Sequence, residues 1–101
     1  MAWRVNLAAS AYRDVDAILA WFEAPGAAAV WLAEFEQACA GLCNLPMRGA
    51  IAAESRTLGK EVRQLLVGRY RVLYVVAPNV VSVLHVRHAS RLPLSAEPLG
   101  P

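Results

Sequence analysis

Apolar residues recur along this chain with two different periods, and the change between them separates a helix-forming part from a strand-forming part. Positions 3–8 alternate between apolar and polar residues, which predicts a short β-strand. Two stretches with a period of three to four residues follow, and this spacing is typical of amphipathic helices. Their apolar stripes are Ala11, Val15, Ile18, Leu19 and Phe22 in the first stretch, and Trp31, Phe35, Ala38, Leu42 and Leu45 in the second.

The ends of these two helices are marked by residues that start or break helices. Ser10 stands where it would cap the first helix, and Ala24-Pro25-Gly26 separates the first helix from the second. Pro46 is expected to end the second helix, so the sequence predicts a helical hairpin. Residues 47–61 have weak periodicity and mixed charge, and we expect a loop with no more than one helical turn there.

Three strand-forming runs occupy the rest of the chain. β-branched and aromatic residues are frequent over positions 62–67, 70–77 and 80–88, and the connections between these runs are only two residues long. Such short connections imply antiparallel hairpins. We therefore predict an α+β domain made of an N-terminal strand, a two-helix hairpin and a three-stranded antiparallel meander. The helices should pack on one sheet face, and the first strand should lie beside one of the later strands.

The expected organisation is one domain over residues 1–91 and an irregular tail over residues 92–101. A chain of 101 residues can build one core but not two, and the tail contains Pro93, Pro98 and Pro101. The predicted core residues are Val15, Ile18, Leu19, Phe35, Leu42, Val72 and Tyr74.

Strand alternation assigns side chains to the two faces of the sheet. In the central strand Tyr70, Val72 and Tyr74 share an apolar side, which we expect to face the helices, while Arg71 lies on the opposite side and should be at least partly exposed. In the last strand, alternation predicts two sets. One set is Val81, Val83, His85 and Arg87, and the other is Ser82, Leu84, Val86 and His88.

The composition adds an apolar surplus, since 57% of the residues are hydrophobic. The hairpin carries more apolar residues than its packed stripes need, including Trp21, Ala28 and Trp31. This surplus favours an apolar surface that is available to bind a partner. No apolar run reaches the roughly 18 residues that span a bilayer, and the N-terminus lacks the apolar region of a signal peptide. We therefore expect a cytoplasmic protein with no membrane partner.

Charge is divided unevenly along the chain. Residues 1–54 contain three basic and six acidic residues, a net charge of −3, whereas residues 55–101 contain seven basic and two acidic residues, a net charge of +5. A basic half of this kind suits a polyanion or an acidic partner. The strands carry most of the candidate residues for such a site: Arg63, Arg71, His85, Arg87, His88 and Arg91.

Two kinds of chemistry fit this basic cluster. Arginines could hold a phosphodiester and stabilise its transition state while a histidine transfers protons. Alternatively, the cluster is a docking surface with no role in making or breaking bonds. The sequence contains no serine–histidine–aspartate arrangement and no glycine-rich phosphate loop, and Cys39 and Cys43 are interpreted as two reduced thiols. We therefore predict no cofactor and no metal site.

The strand region resembles a known family. Residues 62–74 contain an arginine on a strand, a glycine turn and then Tyr70-Arg71-Val72-Leu73-Tyr74, which is similar to the signature of RelE/ParE toxins. Residues 83–91 are similar to the family's terminal strand and its exit rich in histidine and arginine, residues 11–18 resemble its first helix, and Pro46 and Gly49 match its Pro-x-x-Gly. This resemblance implies the toxin of a type II toxin–antitoxin system, linked to plasmid stabilisation, that inhibits bacterial growth until a cognate antitoxin binds it.

The resemblance implies two different activities, and it also assigns roles to the basic residues. ParE-like members poison DNA gyrase, and the long helical hairpin favours this activity. RelE-like members cleave mRNA on the ribosome without a metal ion. In that case Arg71 and His88 would be catalytic, with Arg71 stabilising the phosphorane and His88 transferring protons. The remaining candidates, Arg63, His85, Arg87 and Arg91, would bind phosphates or the target.

A third interpretation is a protein that binds RNA, or only an antitoxin, and is not toxic. RNA-binding sheets usually display aromatic residues for base stacking. Tyr70 and Tyr74 lie on the side that we expect to be buried, which disfavours this interpretation.

Overall fold

Residues 2–91 fold into one sheet with helices on both of its faces. A computed structural model describes residues 2–91, so the predicted tail over 92–101 lies outside the described residues. The strands are β1 (Arg4–Leu7), β2 (Ala50–Ile51), β3 (Arg63–Val67), β4 (Tyr70–Ala77) and β5 (Val80–His88). The helices are α1 (Ala9–Trp21), α2 (Pro25–Gly41) and α3 (Glu54–Leu58).

The five strands form one mixed sheet in the order β1-β5-β4-β3-β2. β3, β4 and β5 pair as the predicted antiparallel meander, and β1 lies at the edge, parallel to β5. The α+β prediction is confirmed, but the sheet is mixed because β1 runs parallel to its neighbour. Strand β2, whose two residues pair with β3, was not expected from the sequence.

The predicted core is confirmed. Of its seven residues, six are buried between the sheet and helices α1 and α2, and Leu19 is partly buried against them. Tyr70, Val72 and Tyr74 face these helices, as the alternation of β4 predicts. A smaller cluster on the opposite face joins Leu73 to Ala52 and Val62, next to the short helix α3. This helix is the single turn expected within residues 47–61.

Three details of the helical hairpin differ from the prediction. Helix α1 begins at Ala9 and has no side-chain cap, because Ser10 lies inside the helix and its hydroxyl donates to the Leu84 carbonyl at 2.6 Å. Helix α2 ends at Gly41, five residues before Pro46, and the following turn lets the Trp3 amide donate to the Cys43 carbonyl. Trp31 belongs to the core rather than to an exposed partner surface.

A β-bulge in β5 overturns the predicted faces of the last strand. The pairing partners change from Leu73↔His85 to Tyr74↔Val83, so one additional residue, Leu84, stands in β5. Because side chains alternate with a period of two, an additional residue exchanges the faces beyond it. Val81 and Val83 lie on the same face as Val86, in the core under α1 and α2, whereas His85 and Arg87 lie on the α3 face.

The Pro-x-x-Gly segment is attached to the core by one buried hydrogen bond. The Gly49 amide donates to the Tyr74 hydroxyl at 2.8 Å, and a Cβ at Gly49 would lie 2.5 Å from that hydroxyl oxygen and 2.6 Å from the Gln64 carbonyl oxygen. Glycine at position 49 is therefore required by a close approach of the backbone to β3 and β4.

We expect Tyr74→Phe to lower the free energy of unfolding by about 1–3 kcal/mol, because it leaves the buried Gly49 amide without its acceptor. Tyr12→Phe removes the same atom from a side chain that is 59% exposed and should change stability by less than about 0.5 kcal/mol. Urea denaturation of both variants measures the difference. Equal midpoints for the two variants would contradict this role of Tyr74.

Candidate functional site

The six basic residues predicted from the sequence do not form a single cluster. Arg63 lies near the β2 edge of the sheet, where its Nε donates to Glu61 at 2.9 Å and its Nη1 donates to the carbonyl of Gly49 at 2.8 Å. A further bond from Nη1 reaches the Met47 carbonyl at 3.1 Å. These bonds hold residues 47–49 against the sheet, which is a structural role.

Arg71 is buried, contrary to the expectation that it is partly exposed. Its Nη2 donates to Glu54 Oε2 at 2.8 Å and its Nη1 to Glu54 Oε1 at 3.1 Å, so the two side chains form a bidentate ion pair. Nη1 also donates to the Gln64 amide oxygen at 2.9 Å. The side chain of Arg71 is 10% exposed and that of Glu54 is fully buried. Helix α3 causes this burial, because it places Glu54 directly against Arg71.

Arg87 lies opposite Arg71 on the neighbouring strand. Burial lowers the pKa of Arg87, and the positive charges of Arg91 and Arg71 lower it further, while Glu54 and Asp14 act in the opposite direction. Arg87 and Arg91 thus place two positive charges near one another, with Asp14 as a nearby carboxylate. This part of the sheet therefore favours an anionic group on a ligand or partner.

His85 is held at the bulge by helix α1. Its Nδ1 lies 3.1 Å from Asp14 Oδ2, and the same carboxylate oxygen accepts a hydrogen bond from the Val86 amide at 2.9 Å. Asp14 therefore attaches α1 to the part of β5 that extends beyond β1. The role of His85 in this arrangement is to position α1 on the sheet.

His88 lies at the end of β5 and is partly exposed. Its ring meets Tyr70 edge-on, with the ring centroids 5.3 Å apart. Its Nδ1 accepts a hydrogen bond from the Ser90 amide at 3.1 Å and lies 2.6 Å from the Ser90 hydroxyl oxygen. Because a backbone amide can only donate, Nδ1 is the acceptor, and neutral His88 carries its proton on Nε2.

Arg87, His88 and Arg91 come together in one cavity of about 520 Å³. The opposite wall belongs to α1 and consists of Asp14, Ala17, Ile18 and Trp21. These four positions repeat with helical spacing, so one face of α1 lines the cavity. That spacing was visible in the sequence, but nothing in the sequence indicated which strand residues this face would meet. The structure thus adds Asp14, Tyr70 and Ser90 to the candidate residues.

Metal binding and thiol reactivity find no support among residues 2–91. No group of three or more histidine, cysteine, aspartate or glutamate side chains in this range could hold a metal ion. Burial, assisted by the charge of Glu36, raises the pKa of the Cys39 thiol to about 11, so this thiol remains protonated and weakly reactive at neutral pH. None of the helices described over this range is long and apolar enough to cross a membrane.

The cavity brings together groups that could bind a ligand or partner. The cavity offers two guanidinium groups, a histidine with a defined tautomer and a Trp21 side chain that is 80% exposed. Arg71, to which the resemblance assigned a catalytic role in a RelE-like nuclease, is instead paired with Glu54. The arrangement is thus suited to an acidic and partly apolar surface.

Residues 5–93 match the family described as ParE toxin of type II toxin-antitoxin system, parDE. No curated protein is significantly similar to the chain in sequence.

Several solved structures share the fold. A chain of the chromosomal ParDE system from P. aeruginosa aligns with a TM-score of 0.70 and 18% identity, covering 87% of this chain and 97% of that chain. A chain of the RelBE2 toxin–antitoxin complex from Mycobacterium tuberculosis aligns with a TM-score of 0.63 and 24% identity over 89% and 95% of the two chains. A chain of the archaeal RelE-RelB complex from Pyrococcus horikoshii OT3 aligns with a TM-score of 0.56 and 19% identity, covering 91% of this chain and 100% of that chain.

Proposed function

The chain belongs to the ParE toxin family of type II toxin–antitoxin systems, and we propose that it inhibits bacterial growth by acting on DNA gyrase until a cognate antitoxin binds it. We further propose that residues 1–91 form the single toxin domain. The helical hairpin over residues 9–41 supports this activity, because a long hairpin is the feature of the sequence that favours ParE-like action on DNA gyrase. The solved structures of similar fold include complexes of toxins with antitoxins, and this supports the proposed antitoxin.

The observation that carries the choice of target is the ion pair between Arg71 and Glu54. An arginine that stabilises a phosphorane must reach the phosphate, but the guanidinium of Arg71 is buried and binds a carboxylate instead. Releasing it would leave the fully buried Glu54 as an unpaired charge, which is costly. This pair therefore supports gyrase over mRNA as the target.

A RelE-like ribosome-dependent mRNA endonuclease is the second candidate, and one observation favours it. Arg87, His88 and Arg91 share a cavity, and the Nε2 proton of neutral His88 could be donated to a leaving oxygen. In this candidate Arg87 and Arg91 would bind phosphates. No metal ion would be needed.

The two candidates are separated by inducing the chain in bacteria and following mRNA integrity and double-strand DNA breaks in the same cultures. We expect DNA breaks and an SOS response with intact mRNA. Codon-phased mRNA cleavage without DNA damage would establish the nuclease instead. Unaffected growth with neither lesion would contradict both, and would favour a protein that only binds RNA or an antitoxin.

We expect the double variant Glu54→Leu/Arg71→Met to retain growth inhibition, because replacing both members of a buried ion pair with apolar residues of similar size is often tolerated. A nuclease that depends on Arg71 would lose its activity in this variant. Growth on induction, together with the melting temperature of the purified variant, is the measurement. Loss of growth inhibition by a stably folded variant would contradict the gyrase proposal.

A further inference from the structure

Ser90 lies in the turn after β5 and carries an exposed hydroxyl group. Its Oγ is 2.6 Å from His88 Nδ1, and its backbone amide donates to the same nitrogen at 3.1 Å. Because the amide fixes Nδ1 as an acceptor, the hydroxyl also donates to it. The serine oxygen therefore has a base in hydrogen-bond contact, which is the arrangement that makes a serine hydroxyl nucleophilic.

Ser10 and Ser55 provide a comparison within the same chain. Their hydroxyl groups donate to the carbonyl oxygens of Leu84 and Val62, at 2.6 and 2.9 Å, and both bonds are partly buried. A carbonyl oxygen can accept a hydrogen bond but is far too weak a base to remove the proton. These two hydroxyl groups therefore have structural roles, whereas the partner of Ser90 is able to take its proton.

The imidazole of His88 is held in place by ring contacts that lead into the core. It meets Tyr70 edge-on, with ring centroids 5.3 Å apart, and Tyr70 in turn meets the buried Trp31 edge-on at 5.5 Å. A base that is fixed in this way keeps its nitrogen directed at the hydroxyl, so less ordering is needed when the proton moves.

Two guanidinium groups determine which group Ser90 is suited to accept. Arg87 and Arg91 line the same cavity as Ser90, and a guanidinium fork matches the oxygens of a phosphate in both shape and charge. Asp14 is the carboxylate of this cavity, and its Oδ2 is bonded to the backbone of β5. The surroundings of Ser90 thus favour a phosphoryl group over an uncharged acyl group.

We propose that Ser90 is a phosphorylation site, at which the hydroxyl accepts the terminal phosphoryl group of a nucleoside triphosphate presented by a separate kinase. The bond between Ser90 Oγ and the γ-phosphorus forms while the bond from that phosphorus to the bridging oxygen breaks. The nucleoside diphosphate leaves with the electron pair, and the hydroxyl proton passes to His88 Nδ1 and then to solvent. Arg87 and Arg91 bind the phosphate oxygens.

Phosphorylation at this position would reverse the charge of the cavity wall. A phosphoserine carries a charge of about −1.5 to −2 at neutral pH, which offsets the charges of Arg87 and Arg91. A cavity that favours an anionic group in the unmodified chain would then repel one. Ser90 would in this way control access of an acidic partner to the cavity, whichever partner that is.

The first measurement tests the hydroxyl without a kinase, by treating the purified full chain with a fluorophosphonate and locating the adduct by peptide mass spectrometry. In this reaction the Oγ–P bond forms and fluoride leaves. We expect an adduct on Ser90 and none on Ser10 or Ser55. His88→Asn keeps an acceptor near the position of Nδ1 but cannot take the proton, so it should slow labelling by about tenfold or more.

Arg91→Ala should slow labelling by about fivefold, because it removes one positive charge that stabilises the phosphoryl oxygens. Its matched control is Arg13→Ala, which removes an exposed arginine of α1 that does not line the cavity and should change the rate by less than about twofold. The melting temperature of each variant shows whether it is folded.

The second measurement tests the binding of the phosphate, using the full chain with phosphoserine inserted at position 90 during translation. Nearby positive charge favours the dianion, so this phosphate should titrate, by phosphorus NMR, at a pH about half a unit or more below that in the Arg91→Ala background. The Arg13→Ala background should leave its titration unchanged.

Either measurement can overturn the inference. Failure of the fluorophosphonate to label Ser90 in preference to Ser10 and Ser55, or labelling at an unchanged rate in folded His88→Asn, would show that the hydroxyl is not activated. Equal titration of the phosphate in the Arg91→Ala and Arg13→Ala backgrounds would show that the cavity does not bind it. Neither measurement involves growth inhibition or an antitoxin, so the proposed function stands or falls separately.

Discussion

Replacing Glu54 with alanine is expected to destabilise the protein by about 3–5 kcal/mol, because it leaves the guanidinium of Arg71 buried without its counter-ion. Glu54 is fully buried, and apart from Glu54 the guanidinium of Arg71 donates to the Gln64 amide oxygen, which carries no charge. A loss of this size is a large part of the 5–15 kcal/mol that stabilises a typical domain, so a substantial fraction of the variant could be unfolded at 37 °C. Urea denaturation with an unchanged slope would measure the loss.

The matched control for Glu54→Ala is Glu61→Ala, which breaks the exposed pair with Arg63. The side chain of Glu61 is 54% exposed, and exposed pairs contribute about 0–1 kcal/mol. The double variant Glu54→Leu/Arg71→Met should recover most of the stability that Glu54→Ala loses, because it removes both charges. Equal losses in Glu54→Ala and Glu61→Ala would show that burial of the Arg71 pair is energetically unimportant.

Trp31→Ala is expected to cost about 3–5 kcal/mol, as large-to-small changes of buried aromatic residues do. Trp31 is 4% exposed, stacks on Phe35 with ring centroids 5.4 Å apart, and meets Tyr70 edge-on at 5.5 Å. Its indole nitrogen donates to the Val67 carbonyl at 3.1 Å. The residue thus joins α2 to both β3 and β4, and its removal opens a cavity between the helix and the sheet.

The comparison with Trp31→Phe separates packing from the hydrogen bond. Phenylalanine retains part of the aromatic packing but cannot donate to Val67, so we expect a smaller loss of about 1–2 kcal/mol. Trp21→Ala removes the same kind of side chain from the surface and should leave the free energy of unfolding within about 0.5 kcal/mol of the wild-type value. Thermal or urea unfolding of the three variants gives the ranking. A Trp21 variant as unstable as the Trp31 variant would contradict the division into core and surface tryptophans.

Local pattern was sufficient to predict the elements with strong periodicity. The bounds of β4 and β5 agree with the predicted runs 70–77 and 80–88, because β-branched residues and two-residue turns define both ends of these strands. The side of β4 that faces the helices was also predictable, since Val72 and Tyr74 are apolar while Arg71 is charged. These features depend on residues that are neighbours in sequence.

Features that depend on distant residues could not be predicted. The burial of Arg71 requires Glu54, which is 17 residues away on a one-turn helix without a distinctive pattern. The bulge at Leu84 is compensated by Ser10 and Asp14 on α1, more than 70 residues earlier. Both features change the interpretation of the candidate site. The pair with Glu54 buries Arg71, and the bulge places His85 and Arg87 on the α3 face.

The attachment of α1 to the bulge has a consequence for the chain before it meets any partner. β1 covers only positions 80–83 of β5, and an uncovered strand edge is a template for association between sheets. Ser10 and Asp14 occupy the following stretch of that edge by bonding the Leu84 carbonyl and the Val86 amide. We therefore expect helix α1 to hinder edge-to-edge pairing along this stretch of β5 in the free protein, in addition to any role that this helix has in binding.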